Sequence, residues 1–516
     1  MLVATPRAQQ PAPQVFRTST RVVTIDALVH GKDGQPILNL TANDFRLFED
    51  GKEQRIEFFS VVSAGAASAS ARVAPQPIVP GTFTNRPGGA IPTTATVVLF
   101  DRLNTRFEDQ LPARDHIVKF LGNLHANDRI ALYVLESNAV RVVHDFSHDA
   151  ASLITTIKRY RASTSIEQAV TDTPAPELAP SGATAVDADM QAWLLETTRM
   201  IDAEFTRRRV QITLSAIEMI AQHLAGIPGR KNLVWVSSGF PLIISDRFGP
   251  QTMSNEVTRA VQAVNSSHLS IYPIDARGLV APYSGPGATA TYQATGRGAP
   301  PPPAVSTVIQ PNIDAMTELA ARTGGRAFFN TNDIGRAIER AIDDASVTYL
   351  LGYAPANDNW DGTFRKLRVT VRAPDAEVRH RTGYLALPPT AARGNDRMTD
   401  LARASLESTG IGLTVSLVAG ELTMRVEPGA ITLKPNGEMW DATLDILIAE
   451  TAKGGELIKH LDRTLDLRLN RAQRDELMRD GFSMTRTIER RSGDSPVHIV
   501  VRDAPSGVAG SVRITR

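Results

Sequence analysis

Between residues 96 and 346, short apolar runs alternate with longer stretches that are apolar only at helical spacing. No other feature of the chain restricts its fold as much. A run such as Val97-Val98-Leu99-Phe100 has no polar face, so it reads as a strand covered on both sides. Strands of that kind belong to parallel sheets, and the intervening helices supply the crossovers that parallel pairing requires. The predicted class is α/β, with a doubly wound, mainly parallel sheet. Strands are expected at 96–100, 128–135, 232–236, 269–274 and 326–329, with 140–146 as an antiparallel hairpin partner. Helical stripes fall at 117–124, 150–160, 187–224, 257–264, 313–321 and 334–345. The run Arg207-Arg208-Arg209 marks a point where the long helix can break. Residues 162–186 read as a loop and 280–310 as a flexible excursion.

Flanking segments change character. Residues 16–63 carry two Asp-Gly turn signals between alternating strands, so they form a small β unit. Residues 64–95 are rich in Ala, Ser, Pro, Gly and Thr and read as a linker. Strands return at 347–387, where they can pair with 16–63 if the α/β region is an insertion. Residues 400–516 form a C-terminal β-rich, sandwich-like domain with one short helix at 470–479. Residues 1–15 read as a signal remnant or a disordered tail. That points to a secreted or periplasmic protein.

Composition removes several function classes. The 56 basic residues balance 55 acidic ones, for a net charge of +1. Phosphate binding needs a basic excess, so no nucleic-acid partner is expected. The absence of Cys excludes disulfides, thiolate zinc sites, iron–sulfur clusters and thiol catalysis. No run of about 18 apolar residues offers a transmembrane segment. The ten His residues lack metallopeptidase spacing, Ser237-Ser238-Gly239 lacks the nucleophile-elbow frame, and 226–231 lacks phosphate-loop spacing.

Several local motifs together resemble one family. They include Leu47-Phe48-Glu49-Asp50-Gly51-Lys52 and Leu99-Phe100-Asp101-Arg102-Leu103-Asn104-Thr105. Others are Asn232-Leu233-Val234-Trp235-Val236-Ser237-Ser238-Gly239-Phe240, Tyr272-Pro273-Ile274-Asp275-Ala276-Arg277-Gly278 and Arg381-Thr382-Gly383-Tyr384. The set resembles the bacterial, VWFA-related acidobacterial family of exported proteins, which carry a von Willebrand factor type A (VWA) domain. The resemblance implies a Rossmann-like VWA domain at 96–346 with flanking β units.

It also implies where ligands approach. VWA domains hold Mg²⁺ at the carboxyl edge of the sheet with Asp-x-Ser-x-Ser, a Thr and a second Asp. Here Asp101 aligns with the leading Asp, Leu103 replaces the first Ser, and Thr105 replaces the second. Asn104 adds an oxygen nearby. Ser238 stands where the second Asp is expected. The Thr is not placed, with Thr171 and Thr173 among the candidates. The candidate metal set is therefore Asp101, Asn104, Thr105 and Ser238, a degenerate adhesion site, with Asp275 at the ligand edge. Losing one carboxylate weakens a hard-cation site, and the same residues also suit turn capping. Asp275 equally suits a salt bridge with Arg277. The expected function is non-enzymatic: a protein-interaction or adhesion module with no cofactor or, at most, Mg²⁺ at the degenerate site. The alternative is a metal-dependent hydrolase using Asp101 and Asp275. No catalytic residue is assigned, and the protein partner is unknown.

Overall fold

The computed structural model describes residues 22–63, 81–86, 95–124, 129–171, 185–278, 306–386 and 395–515, except 138, 228, 247–248, 332, 345, 358, 453 and 491–494. At its centre is a five-stranded mixed sheet. Its order is Leu269–Asp275, Lys231–Ser237, Ala95–Asp101, Ile130–Leu135, Val140–Ser147. The first four strands are parallel and the last is antiparallel. Every residue of the four parallel strands is buried, because helices cover both faces.

Alternation along Ala95–Asp101 divides the core. Val98 and Phe100 pack with Ile117, Phe120 and Ile338 from helices Phe107–Leu121 and Ile334–Asp343. Val97 and Leu99 pack with Val210, Leu214 and Ile217 of helix Ala185–Leu224 and with Val261 of helix Ser254–Ser266. Helix Ala185–Leu224 runs unbroken through the basic run. Glu204 meets Arg207 at 2.6 Å, and Glu167 meets Arg208 at 3.5 Å, so carboxylates offset the local charge.

The segment 326–329 does not form a full strand. Only one bridge joins Phe328 to Ile274. Phe328 N–H donates to the Pro273 carbonyl, but Pro273 has no N–H to return toward the preceding residues. A short helix, Ile166–Thr171, lies within the stretch read as loop. Most of the predicted excursion, 279–305, lies outside the described residues.

Strand Val23–His30 pairs with Val347–Tyr353, which pairs with Phe58–Ser63. Strand Phe45–Glu49 pairs with Phe364–Val371. Segments on either side of the α/β region thus share both sheets and one core. Asp50 and Gly51 turn between Phe45–Glu49 and Lys52–Gln54 with φ of 46° and 81°, the left-handed pair that a tight hairpin needs.

Residues 81–86 were expected in a linker. Instead Thr82–Thr84 adds a strand to Leu413–Val418. Buried Asn85 anchors the segment, with Nδ2 donating to the Ser408 and Ile411 carbonyls and Oδ1 accepting from Leu413 N–H. These polar bonds leave no hydrophobic pattern to read. The C-terminal region encloses its core between two antiparallel sheets. Helix Asn395–Arg403 packs outside one of them and was not anticipated.

Buried histidines make acid destabilising. In the C-terminal core, burial and the Arg513 charge push His498 down to about 4. The unfolded chain takes up the proton first, so folding free energy is lost as pH falls from about 6.5 toward 4. Burial likewise lowers His30, His223 and His380. Urea midpoints should fall over this window, with His498 costing at most about 3 kcal/mol. The pH slope should be shallower in His498→Gln.

Candidate functional site

Asp101 closes the central strand at the carboxyl end of the sheet, where open α/β folds place their ligands. It is fully buried. Its Oδ2 accepts three hydrogen bonds: from Asn104 Nδ2 at 2.9 Å, Trp235 Nε1 at 2.9 Å and Ser237 Oγ at 2.7 Å. Its Oδ1 accepts from Asn104 N–H at 3.0 Å. Burial pushes this carboxyl above the usual carboxylate range, and the four donors pull against that push. All four are N–H or O–H donors, which favours the ionised form.

The rest of the predicted set is differently engaged. Asn104 Nδ2 also donates to Thr213 Oγ1 at 2.8 Å, tying the rim loop to helix Ala185–Leu224. Asn104 Oδ1 and Thr105 Oγ1 are buried without a hydrogen-bond partner among the described residues. Ser238 is buried directly after Ser237. Asp275 is also buried and binds Arg277, with Oδ1 to Nε at 2.9 Å and Oδ2 to Nη2 at 2.8 Å. Asp275 stands level with Ser237 on the neighbouring strand. Two strand spacings therefore separate it from Asp101, about 10 Å. Thr171 ends the helix Ile166–Thr171, and Thr173 lies outside the described residues.

These residues do not fit a divalent cation. Mg²⁺ requires near-octahedral oxygen ligands, usually with carboxylates among them. The lone pairs of Asp101 Oδ2 are taken by three donors, and the second nearby carboxylate is neutralised by a guanidinium. What remains is Asp101 Oδ1, which already accepts from Asn104 N–H, and two neutral oxygens, from Asn104 and Thr105. The sequence placed Trp235 in the buried strand 232–236 and did not by itself mark its indole N–H as the partner of Asp101. The signal was period two: Trp235 and Ser237 share one face of their strand, beside the end of Ala95–Asp101.

A second feature of this edge is a projecting helix. Thr213 contacts the rim loop, and a helix rises 1.5 Å per residue. Trp193 therefore lies about 30 Å farther along the axis. Met190, Trp193, Leu194, Met200 and Ile201 are all exposed there, Trp193 by 61%. Their spacing puts them in a stripe along one side of the helix.

No family model matches the chain, and no curated protein matches it. Solved structures give weak likenesses. The SpRpn10 VWA domain is 9% identical, with 35% of this chain and 88% of that one covered, at a TM-score of 0.17. The pilus adhesin SpaC from Lactobacillus rhamnosus GG is 9% identical, covering 95% and 59%, at 0.25. Proximal thread matrix protein 1 from the mussel byssus is 9% identical, covering 49% and 48%, at 0.23. This chain spans about half the length of that mussel protein.

Proposed function

We propose that this chain is a non-enzymatic protein-interaction module of the VWA type, which engages a protein partner at its sheet edge without a metal ion. The exposed apolar stripe of helix Ala185–Leu224 carries the reading. A contiguous apolar patch on a polar surface is the usual mark of a protein contact, and here it extends past the edge where VWA domains dock. The degenerate site beneath it serves as a structural hub. Export to the periplasm or the exterior belongs to the same reading and rests on the family resemblance. The hydrolase alternative needs two carboxylates free to act on one substrate or metal, whereas Asp101 and Asp275 are each held by internal donors.

The test uses the full chain as bait against envelope and culture-supernatant proteins. A protein retained by wild type should bind at least tenfold less to Trp193→Asp/Leu194→Asp. Its retention should be unchanged by a chelator. Both positions are exposed, so the melting curve should stay within a few degrees. Capture that survives the double substitution, or that the chelator abolishes, contradicts the reading.

A further inference from the structure

A cleft of about 310 Å³ lies between the β unit and the α/β region, on the side away from Asp101. One wall comes from helix Ser254–Ser266 and from Arg322, near the end of helix Ser306–Thr323. The other comes from Val22, Trp360, Phe364 and Tyr384 of the β unit. Its two ends differ chemically. The outer lip is apolar: Val22 is 53% exposed and Phe364 is 40% exposed. At the inner end a small ionic pocket adjoins the cleft through His268 and Arg381, and there Asp26, His268, Arg230 and Arg381 meet.

The charges at the inner end do not cancel. Asp26 faces His268 Nδ1 at 3.1 Å. Burial raises its carboxyl, but His268, Arg230 and Arg381 outweigh that and hold it below the ordinary range. Arg230 and Arg381 therefore share the one carboxylate there, and Arg322 lines the adjoining cleft. Glu318 stands 3.6 Å from Arg322 on the outer side. Arg381 donates from Nη2 to the Thr24 carbonyl at 2.8 Å, while its buried Nε has no hydrogen-bond partner among the described residues. Arg381 lines the cleft, where its guanidinium charge favours an anion.

The aromatic wall is held rigidly. Tyr384 and Trp360 have ring centroids 6.2 Å apart, and the Arg381 guanidinium lies 5.8 Å from the Tyr384 centroid. The Arg322 guanidinium lies 5.9 Å from that of Phe364. Gly383 makes room for this ring, since a Cβ there would sit 2.4 Å from Phe364 Cζ. Cleft volume, a mostly apolar wall and a few convergent polar groups are the attributes of small-ligand sites.

We infer that this cleft binds a small organic monoanion, an aryl-substituted carboxylate, with its carboxylate at Arg381 and Arg322 and its ring against Phe364, Trp360 and Tyr384. The assignment is independent of the docking edge. It is also independent of any metal.

Isothermal titration of the full chain with phenylacetate, 2-phenylethanol and inorganic phosphate tests it. Phenylacetate should bind, and the neutral alcohol and the ringless anion should each bind at least tenfold more weakly. Phe364→Ser and Arg322→Gln should each weaken phenylacetate at least fivefold while melting like wild type. Arg381→Gln should abolish binding. Because Arg381 is largely buried, the exposed Phe364 variant keeps the test decisive if Arg381→Gln fails to fold. The inference is overturned if phenylacetate gives no heat at millimolar concentration. It is equally overturned if the alcohol binds as tightly, or if Phe364→Ser and Arg322→Gln leave the affinity unchanged.

Discussion

Asp101→Ala should destabilise the α/β region by about 3–5 kcal/mol, because the substitution strands four buried donors at once. Those donors are Asn104 N–H and Nδ2, Trp235 Nε1 and Ser237 Oγ. None can turn to water, since Asp101, Asn104, Trp235 and Ser237 are all buried. Asp101→Asn should also be costly, because its amide N–H₂ would face donors in place of an acceptor. Chemical denaturation followed by Trp fluorescence measures both. Mg²⁺, Mn²⁺ or Ca²⁺ should leave the midpoint of wild type where it was, since a cation that binds only the folded form would raise it. A metal-dependent rise in wild type that disappears in Asp101→Ala would restore the adhesion-site reading.

Glu49→Ala should cost a comparable amount, about 3–5 kcal/mol, by leaving a buried guanidinium without its counter-charge. Glu49 and Arg365 are 4% and 1% exposed, 3.1 Å apart, at the centre of the β unit. Tyr353 and Tyr384 both donate their hydroxyls to Glu49 Oε2. Burial and the bond to Glu49 hold the Tyr353 hydroxyl far above the ordinary phenol range, so it stays a donor at any physiological pH. Replacing both charges, as in Glu49→Leu/Arg365→Leu, should recover much of the loss, because no lone charge is left behind. Tyr384 also forms part of the cleft wall. Glu49→Ala should therefore weaken phenylacetate as well as lower the unfolding midpoint. Unfolding followed at Trp360 and titration of the same preparation check the two effects together.

The parts of the fold that were legible share a physical reason. A strand buried on both faces must be apolar throughout, so Ala95–Asp101, Lys231–Ser237 and Leu269–Asp275 announce themselves. Asp50-Gly51 announces its hairpin because few residue pairs tolerate two positive φ values. Other elements left no such trace. Thr82–Thr84 is three residues long and is held by hydrogen bonds to a strand more than 300 residues away. Among the described residues, helix Asn395–Arg403 contributes Met398, Leu401 and Ala402 to a core, too few for a clear stripe. In the hairpin Met439–Thr451/Leu457–Leu469, the second strand is largely polar along its exposed side, so it leaves a weak hydrophobic pattern.

The candidate site divides in the same way. Local chain order determined that Asp101 ends a buried strand and that Asn104 and Thr105 follow within one turn. It also placed Asp275 beside Arg277, close enough to pair. Which groups spend the lone pairs of Asp101 was decided only when strand Lys231–Ser237 came alongside and brought Trp235 and Ser237 to the carboxylate. The cleft is a tertiary product entirely, since Thr24, Arg322, Phe364 and Arg381 come from separate elements. Periodicity reports whether a residue faces water or the interior, because that preference acts on each side chain singly. A hydrogen-bond partner or an unmatched charge depends on two segments meeting, and only the folded chain sets that meeting.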